Sequence, residues 1–273
     1  MENTFLYLSI LACVVAGCGN DGDPQPALQM NEIQVLGTHN SYHIQPRDEI
    51  LGLVAALVGQ ETADGLEYTA LPLQEQFDRG VRQIELDVFA DPEGGLYAER
   101  RALPLIGIDE VSPPELYEPG LKVLHVQDLD FETHCLTFKI CLTTLKQWSD
   151  AHSHHLPITV MIEAKEEDVG YGMTVPIPFG PDEVASIDDE ILSVFPPDQL
   201  ITPDDVRGEH DTLEDAVLND GWLTLDKARG RIMFVFLNGD APKDYYIEDH
   251  PSLTGGSCSP IPFEGSRKLR GST

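Results

Sequence analysis

Five short runs of β-branched and aromatic residues constrain the fold of this chain more than any other feature. They lie tens of residues apart, and such spacing suits crossover connections between parallel strands. At 273 residues the chain is long enough for one barrel domain of ordinary size. We therefore expect an α/β fold, and the five runs are residues 32–37, 81–89, 122–126, 157–164 and 231–237.

Helical spacing of apolar residues is clearest after the third run. Leu142, Leu145 and Trp148 predict a helix over residues 142–152, and a second helix is expected to begin near Asp182. The connection from 165 to 231 is long for a compact domain and is expected to carry loop insertions.

Two acidic side chains interrupt the second run. Side chains alternate across a strand, so Glu85 and Asp87 share one face. Buried like charges repel each other unless a cation or a proton lies between them. Glu163 and Lys165 share a face at the end of the fourth run, and His125 comes late in the third. Because the carboxyl ends of barrel strands meet at one mouth, these groups are expected to converge there.

The first run ends in the segment LGTHNSYH, residues 36–43, which offers two imidazoles and an amide. Gly37 and Thr38 are expected to end the strand. An imidazole titrates near neutral pH and can carry a proton or bind a metal. His39 is therefore a candidate for catalysis, whereas His43 is left open between a substrate contact and a turn cap.

An amide and three carboxylates make up the candidate metal set: Asn40, Glu85, Asp87 and Glu163. Oxygen ligands suit calcium or magnesium better than zinc, which would prefer the histidines. His39 and His125 then remain for acid and base chemistry. His134 follows the third run and is the alternative to His125.

Four segments together resemble the bacterial calcium-dependent, phosphoinositide-specific phospholipases C, which are related to the X region of eukaryotic phospholipases C. The segments are LGTHNSYH, GVRQIELDVFADPEGGLYA, KVLHVQDLDFETHCLTFKICL and LPITVMIEAK. The resemblance implies a distorted TIM-type (β/α) barrel that acts on a phospholipid head group at a membrane surface. It suggests that Asn40, Glu85, Asp87 and Glu163 bind Ca²⁺, that His39 and His125 are the catalytic pair, and that Lys165 lies near the substrate phosphate.

The reaction that this resemblance implies is cleavage of the glycerol-side phosphodiester of phosphatidylinositol. The inositol 2-hydroxyl attacks the adjacent phosphate, giving diacylglycerol and a cyclic or acyclic inositol phosphate. His39 is expected to be the base and His125 the acid, although a metal-bound carboxylate could also serve as base. Two alternatives stay open: a phosphodiesterase acting on glycerophosphodiesters or other phospholipids, and an inactive, truncated lipoprotein fragment.

The charge balance excludes one class of partner. With 47 acidic and 17 basic residues, the net charge of −30 gives no surface for nucleic acid and repels an anionic membrane. A substrate phosphate therefore needs a local cation. The chain is expected to be a monomer.

The N-terminal segment predicts export. Residues 5–17 form an apolar run too short to span a bilayer with margin, and residues 15–18, VAGC, resemble a bacterial lipobox. We expect a lipoprotein-type signal peptide over 1–18, a polar tether over 19–30 and one catalytic domain over 31–273. The protein would then be lipid-anchored at the bacterial cell envelope, or otherwise secreted.

In an exported protein, Cys135 and Cys141 can form a small disulfide loop, which leaves Cys258 unpaired. The closing segment SCSPIPFEGSRKLRGST, residues 257–273, shows neither strand nor helix period. We therefore expect a barrel that lacks its last strands, with a shorter complete domain as the alternative.

The remaining histidines are expected to lie outside the site. The cluster of His152, His154 and His155 precedes the fourth run and predicts a solvated turn at the bottom of the barrel rather than a metal site. His210 and His250 lie in acidic loop sequence with no evident partner.

Overall fold

The computed structural model describes residues 27–260. The predicted signal peptide and most of the predicted tether lie outside these residues, as does the segment 261–273. Among the described helices, none is both long enough and apolar enough to cross a lipid bilayer.

One mixed sheet organises the molecule. Its parallel strands follow the order β1, β2, β4, β5, β6, and β3 pairs with β2 in the antiparallel direction. Within residues 27–260 the sheet does not close on itself. The strands are β1 (Leu36–Gly37), β2 (Val81–Phe89), β3 (Lys122–Val123), β4 (Ile158–Ala164), β5 (Ile232–Phe236) and β6 (Cys258–Pro260). The predicted α/β fold with a parallel sheet is confirmed.

The third run differs from its prediction in length and direction. Only Lys122 and Val123 are in β3, and Val123 pairs with Val88 at the end of β2. The chain then leaves the sheet through a tight turn in which Val126 and Asp130 exchange two backbone hydrogen bonds of 2.9 and 2.8 Å. His125 therefore lies in a turn rather than on a strand.

The described residues form ten α-helices. The predicted helix over 142–152 is confirmed as α5, which begins earlier because the Thr137 side chain accepts a hydrogen bond from the Ile140 amide. The helix expected near Asp182 is α6, with Pro181 in its first turn. Four helices, α6 to α9, occupy the long connection after β4. The helices are α1 (Asp48–Val58), α2 (Gln60–Gly65), α3 (Leu73–Asp78), α4 (Ala102–Leu105), α5 (Phe138–Ala151), α6 (Pro181–Val194), α7 (Pro203–Arg207), α8 (Leu213–Asn219), α9 (Leu225–Ala228) and α10 (Asp240–Asp249).

The two faces of the sheet differ in chemistry. Apolar side chains on the helix-covered face form the main core, and they include Ile84, Leu86 and Val88 of β2. The intervening residues Glu85 and Asp87 point to the opposite face, as the alternation predicts. The acidic residues therefore face away from the main core.

The end of the described chain corrects a prediction, because β6 follows α10 in a segment where no regular structure was expected. Asp188 of α6 holds them in place. Its carboxylate accepts hydrogen bonds from the Ser257 amide at 3.0 Å and from the Tyr246 hydroxyl at 3.1 Å, and it pairs with His250 at 3.3 Å. Cys258 is a fully buried thiol beside the same carboxylate. A three-residue strand is too short to show alternation, so its stability comes from these tertiary contacts.

The predicted disulfide is confirmed. Cys135 and Cys141 are bonded, with their Cα atoms 5.3 Å apart, and the bond ties the segment before α5 to its first turn. This segment follows the turn that carries His125, so the bridge restrains one wall of the barrel mouth.

Candidate active site

Neighbouring strands bring the predicted acidic residues together. Asp87 of β2 pairs in register with Glu163 of β4, and Glu85 lies two residues earlier on the same face. Each of the three carboxylates has an oxygen atom within 4.8 Å of the others. The sequence pattern therefore predicted a real cluster.

Asp87 is the innermost member of this cluster. Its side chain is 1% exposed, and among residues 27–260 neither carboxylate oxygen accepts a hydrogen bond of normal length, but the Tyr42 hydroxyl lies near enough to lower its pKa. Burial raises the pKa of Asp87 to about 6, against the opposing charge of Lys165. Burial also raises the pKa of Glu85. A buried carboxylate that accepts no hydrogen bond of normal length is costly, so the site is suited to a cation.

Lys165 supplies one fixed positive charge to the cluster. Its ammonium nitrogen lies 3.3 Å from Glu163 Oε1 and 3.7 Å from Asp87 Oδ2. Burial lowers the pKa of Lys165, but the two carboxylates outweigh this effect and the pKa is raised. One ammonium group does not neutralise three carboxylates, which leaves room for a divalent ion.

The loop after β1 is fixed against β2. Ser41 donates its amide to the Glu85 carbonyl at 3.1 Å, and its hydroxyl accepts from the Glu85 amide at 2.9 Å. The neighbouring Asn40 has a left-handed conformation, with φ of 44°, which asparagine tolerates. The Asn40 side-chain nitrogen donates to the Tyr68 hydroxyl at 3.0 Å, so its oxygen remains available as a metal ligand.

The two predicted catalytic histidines both lie close to the carboxylates. His39 is 74% exposed, and its Nε2 atom lies 3.8 Å from Glu85 Oε1. Positive charge on His39 or on His125 opposes the rise in the pKa of Glu85. The cluster is therefore within electrostatic range of both imidazoles.

Asp130 was not predicted, yet it orients His125. Its fully buried carboxylate lies 2.7 Å from His125 Nδ1, which leaves Nε2 for chemistry. The signal in the sequence is weak, since Asp130 is one of several acidic residues near His125. Asp130, rather than another nearby acidic residue, reaches His125 because both lie in one tight turn, in which the His125 amide donates to the Asp130 carbonyl at 3.1 Å.

His43 lies behind this pair. Its side chain is fully buried, with Nε2 at 2.9 Å from both Asp130 oxygens and Nδ1 at 3.0 Å from the Tyr68 carbonyl. Of the two roles left open for His43, neither fits, because a buried ring held by Asp130 does not reach substrate and does not cap a turn. His134, the alternative acid, has its Nε2 bonded to the Ala70 carbonyl at 2.7 Å.

The histidines near the bottom of the sheet form no metal cluster among the described residues. His152 and His154 are exposed in the turn after α5, as expected. His155 corrects the prediction of a solvated turn, because it is buried against Ser149 and burial lowers its pKa. His210 and His250, for which no partner was evident, pair with Asp220 and Asp188.

Comparisons with known proteins identify the family of this chain. A family model described as "Phosphoinositide phospholipase C, Ca2+-dependent" matches residues 28–259. A search of curated proteins found no match.

Solved structures show the same fold at low sequence identity. A calcium-dependent phosphoinositol-specific phospholipase C from a Pseudomonas species superposes in its apo form with a TM-score of 0.54 and 19% identity, covering 88% of this chain and 70% of the other. Its myoinositol complex gives 0.54 and 18%, with coverage of 86% and 67%. A calcium-dependent phosphatidylinositol-specific enzyme from Streptomyces antibioticus gives 0.50 and 19%, with coverage of 87% and 69%. The fold is a distorted TIM-type barrel, and the chain belongs to the Ca²⁺-dependent phosphoinositide phospholipase C family of phosphoric diester hydrolases.

Proposed function

We propose that this enzyme cleaves phosphatidylinositol on the glycerol side of its phosphodiester, releasing diacylglycerol and a cyclic or acyclic inositol phosphate. The observation that carries the proposal is the buried Asp87 carboxylate, which accepts no hydrogen bond of normal length, inside a three-carboxylate cluster with a histidine on each of two loops beside it.

Asn40, Glu85, Asp87 and Glu163 would hold the Ca²⁺ ion. This donor set consists of oxygens alone, which calcium prefers, and the Asp87 oxygens fit it because they accept no hydrogen bond of normal length. When bound, the ion supplies charge neutralisation at the phosphate and lowers the pKa of a coordinated hydroxyl.

His39 takes the proton from the inositol 2-hydroxyl. Its exposed ring can reach a substrate entering from solvent, and Glu85 at 3.8 Å stabilises the imidazolium that forms. The hydroxyl lies next to the phosphate in the substrate, so proximity supplies part of the rate enhancement.

His125 gives a proton to the departing diacylglycerol oxygen. Asp130 holds its Nδ1 atom, so Nε2 is the atom that faces the substrate. Lys165 remains cationic beside Asp87 and Glu163, and its ammonium group would contact a phosphate oxygen of the substrate.

A matched pair of substrates tests this proposal. We expect phosphatidylinositol to be cleaved in the presence of calcium, and its 2-deoxy analogue to react at least about 10³-fold more slowly because the internal nucleophile is missing. Phosphorus NMR should detect a cyclic phosphodiester first. A chelator should abolish turnover, and added calcium should restore it.

Equal cleavage of the 2-deoxy analogue would contradict the proposal. It would show that water attacks phosphorus directly, as in a phosphodiesterase acting on glycerophosphodiesters or other phospholipids. Phosphatidylcholine is the matched head-group control, and it should not be cleaved.

The loop after β4 is the part of the protein that we propose to contact the membrane surface. Gly170, Tyr171 and Gly172 all have positive φ, of 74°, 55° and 77°, a conformation that a tyrosine rarely adopts. The ring of Tyr171 is 59% exposed, and its hydroxyl donates to the Leu57 carbonyl at 3.4 Å, beside the exposed Val58. Because the net charge repels anionic lipids, we propose that the exposed side chains of Tyr171 and Val58 contact the bilayer.

Replacing Tyr171 by alanine should weaken binding to phosphatidylinositol-containing vesicles by about three- to tenfold, as loss of one interfacial aromatic contact predicts. Vesicle sedimentation measures this. Turnover of a water-soluble inositol phosphodiester should be unchanged. Leu218→Ala removes a similarly exposed apolar side chain from α8 and should change neither quantity. Unaltered vesicle binding by Tyr171→Ala would exclude this loop from the lipid contact.

A further inference from the structure

We infer that Asp128 is a positioning residue for His125, because its buried carboxylate fastens the loop after β4, residues 165–175, to the His125 turn, residues 125–130. The effect on catalysis rests on the proposed role of His125 as the acid. The attachment of the loop to the turn does not depend on that role, so the two can be tested separately.

The His125 turn is closed by its own backbone. Val126 and Asp130 exchange two hydrogen bonds, and the His125 amide donates to the Asp130 carbonyl at 3.1 Å. The Asp130 carboxylate lies 2.7 Å from His125 Nδ1. Because the imidazole is bonded to the end of the turn, a shift of the turn changes where His125 Nε2 lies.

Asp128 lies at the tip of this turn. Its φ of 65° is in the left-handed region, where aspartate is found more often than most residues. The residue is 3% exposed, and each carboxylate oxygen accepts a hydrogen bond from a different segment. Oδ1 accepts from the Arg101 amide at 3.0 Å, and Oδ2 accepts from the Thr174 amide at 2.6 Å. One side chain therefore joins the turn to the start of α4 and to the loop after β4.

Two further contacts hold the loop after β4 against the turn. The buried Gln127 side chain donates to the Glu167 carbonyl at 2.9 Å. Met173 of the loop and Leu129 of the turn are both buried in a second apolar cluster. Apolar packing is not directional, so the hydrogen bonds of Gln127 and Asp128 fix how the loop and the turn are aligned.

Thr174 makes the contact of Asp128 more demanding than that of Gln127. Thr174 is 1% exposed, and within residues 27–260 its amide has only the Asp128 carboxylate as acceptor. Glu167 is exposed, so its carbonyl can bond to water instead. Removing the carboxylate would leave a buried amide unpaired, and such a group is costly. We expect the loop to move until that amide reaches water, which leaves the turn and His125 without support on that side.

The first experiment measures backbone hydrogen exchange in the full-length protein without substrate, amide by amide, by NMR. Asp128→Gly removes both accepting oxygens and still allows a positive φ. We expect the Thr174 amide, and the Val126 and Asp130 amides of the turn, to exchange at least about tenfold faster in this variant, as loss of a buried hydrogen bond predicts.

Asp168→Gly is the matched control for this experiment. Asp168 accepts from the Gly170 amide at 2.8 Å within the loop after β4, and among the described residues it makes no hydrogen bond to the turn. The variant should leave the amides of the turn protected. Unchanged protection of Val126 and Asp130 in Asp128→Gly would overturn the inference, whether or not the protein is an active phospholipase.

The second experiment compares kcat on two water-soluble inositol phosphodiesters, one with an alkoxide leaving group and one with a nitrophenolate. Only the alkoxide needs a proton, so a displaced His125 slows only that substrate. We expect Asp128→Gly to lose about tenfold in kcat on the alkyl ester, well below the ~10²- to 10⁴-fold effect of removing a general acid, and less than about twofold on the nitrophenyl ester. Asp128→Asn keeps one accepting oxygen and should show the same pattern with smaller losses. Asp168→Gly should change neither rate.

Equal losses on both esters in Asp128→Gly would overturn the positioning role, because a general loss of structure does not distinguish leaving groups. If Asp128→Gly does not fold, the same comparison in Asp128→Asn decides. His125→Ala is measured beside them. If it too shows no dependence on the leaving group, the proposed function fails, and the exchange experiment alone decides whether Asp128 fastens the loop to the turn.

Discussion

Replacing Asp87 by asparagine is expected to abolish calcium binding and to lower phosphatidylinositol cleavage by about 10³-fold or more, although the two side chains have nearly the same size. The reason is charge. Asp87 is the buried centre of the carboxylate cluster and accepts no hydrogen bond of normal length, so its oxygens are the strongest candidates for direct contact with the ion. Titration calorimetry with calcium measures the first loss, and a lipid hydrolysis assay measures the second.

Unfolding of the variant would also abolish calcium binding. The pKa of Asp87 predicts how the substitution changes stability, so a melting experiment distinguishes unfolding from loss of a metal ligand. Burial raises this pKa from 3.8 to about 6, so the ionised group opposes folding. The penalty is absent when both folded and unfolded states are protonated, grows as pH rises from about 4 to 6, and is complete above pH 6. In calcium-free buffer at pH 8, Asp87→Asn should therefore melt no lower than the wild type.

Asp91 provides the matched control for this variant. It is also buried and acidic, but its carboxylate pairs with the buried Lys122 ammonium at 3.1 Å. Asp91→Asn should lower the melting temperature because Lys122 loses its counter-charge, while calcium binding is retained. Full calcium affinity in Asp87→Asn would remove Asp87 from the metal site.

The same pKa predicts how calcium affinity depends on pH. Below about pH 6 the carboxyl of Asp87 is protonated, and calcium must displace that proton. The measured affinity should therefore fall as pH drops through 6 and be nearly constant above 7.

How much of this site the sequence predicts depends on whether its residues share one strand. Glu85 and Asp87 follow from alternation alone, because period two fixes which face each side chain takes. The pairing of Asp87 with Glu163 follows from the parallel sheet. His43 and Asp130 are 87 residues apart, and no local pattern links them. Their contact depends on a turn and a loop whose conformations are set by tertiary hydrogen bonds.

The fold also has parts that follow from local sequence pattern and parts that depend on tertiary contacts. Long runs such as Val81–Phe89 and Ile158–Ala164 carry enough residues to reveal their class and their bounds. The two-residue β3 pairs in the opposite direction to that predicted, because its direction depends on where the preceding loop returns. The strand β6 was not predicted because Asp188, 70 residues away from Cys258, supplies the contacts that hold it.

The second large expected effect is on the reaction rate, because His39 and His125 have different roles as base and acid. We expect His125→Ala to lose about 10²- to 10⁴-fold in rate on phosphatidylinositol, as removal of one general acid predicts. The diacylglycerol oxygen is a poor leaving group and needs a proton. A nitrophenolate leaving group does not, so the loss in His125→Ala should shrink on an inositol nitrophenyl phosphodiester.

His39→Ala should be impaired equally on both substrates, because the attacking 2-hydroxyl must lose its proton whichever group departs. Calcium binding and melting temperature should be normal in both variants, since neither histidine belongs to the carboxylate cluster. Asp130→Asn should show the same dependence on leaving group as His125→Ala, with smaller losses in rate. The variant keeps His125 Nε2 but weakens the hydrogen bond that orients the ring at Nδ1. Equal losses on both substrates in His39→Ala and His125→Ala would refute this assignment. If His125→Ala keeps nearly normal activity, the general acid is instead His134 or a metal-bound water molecule.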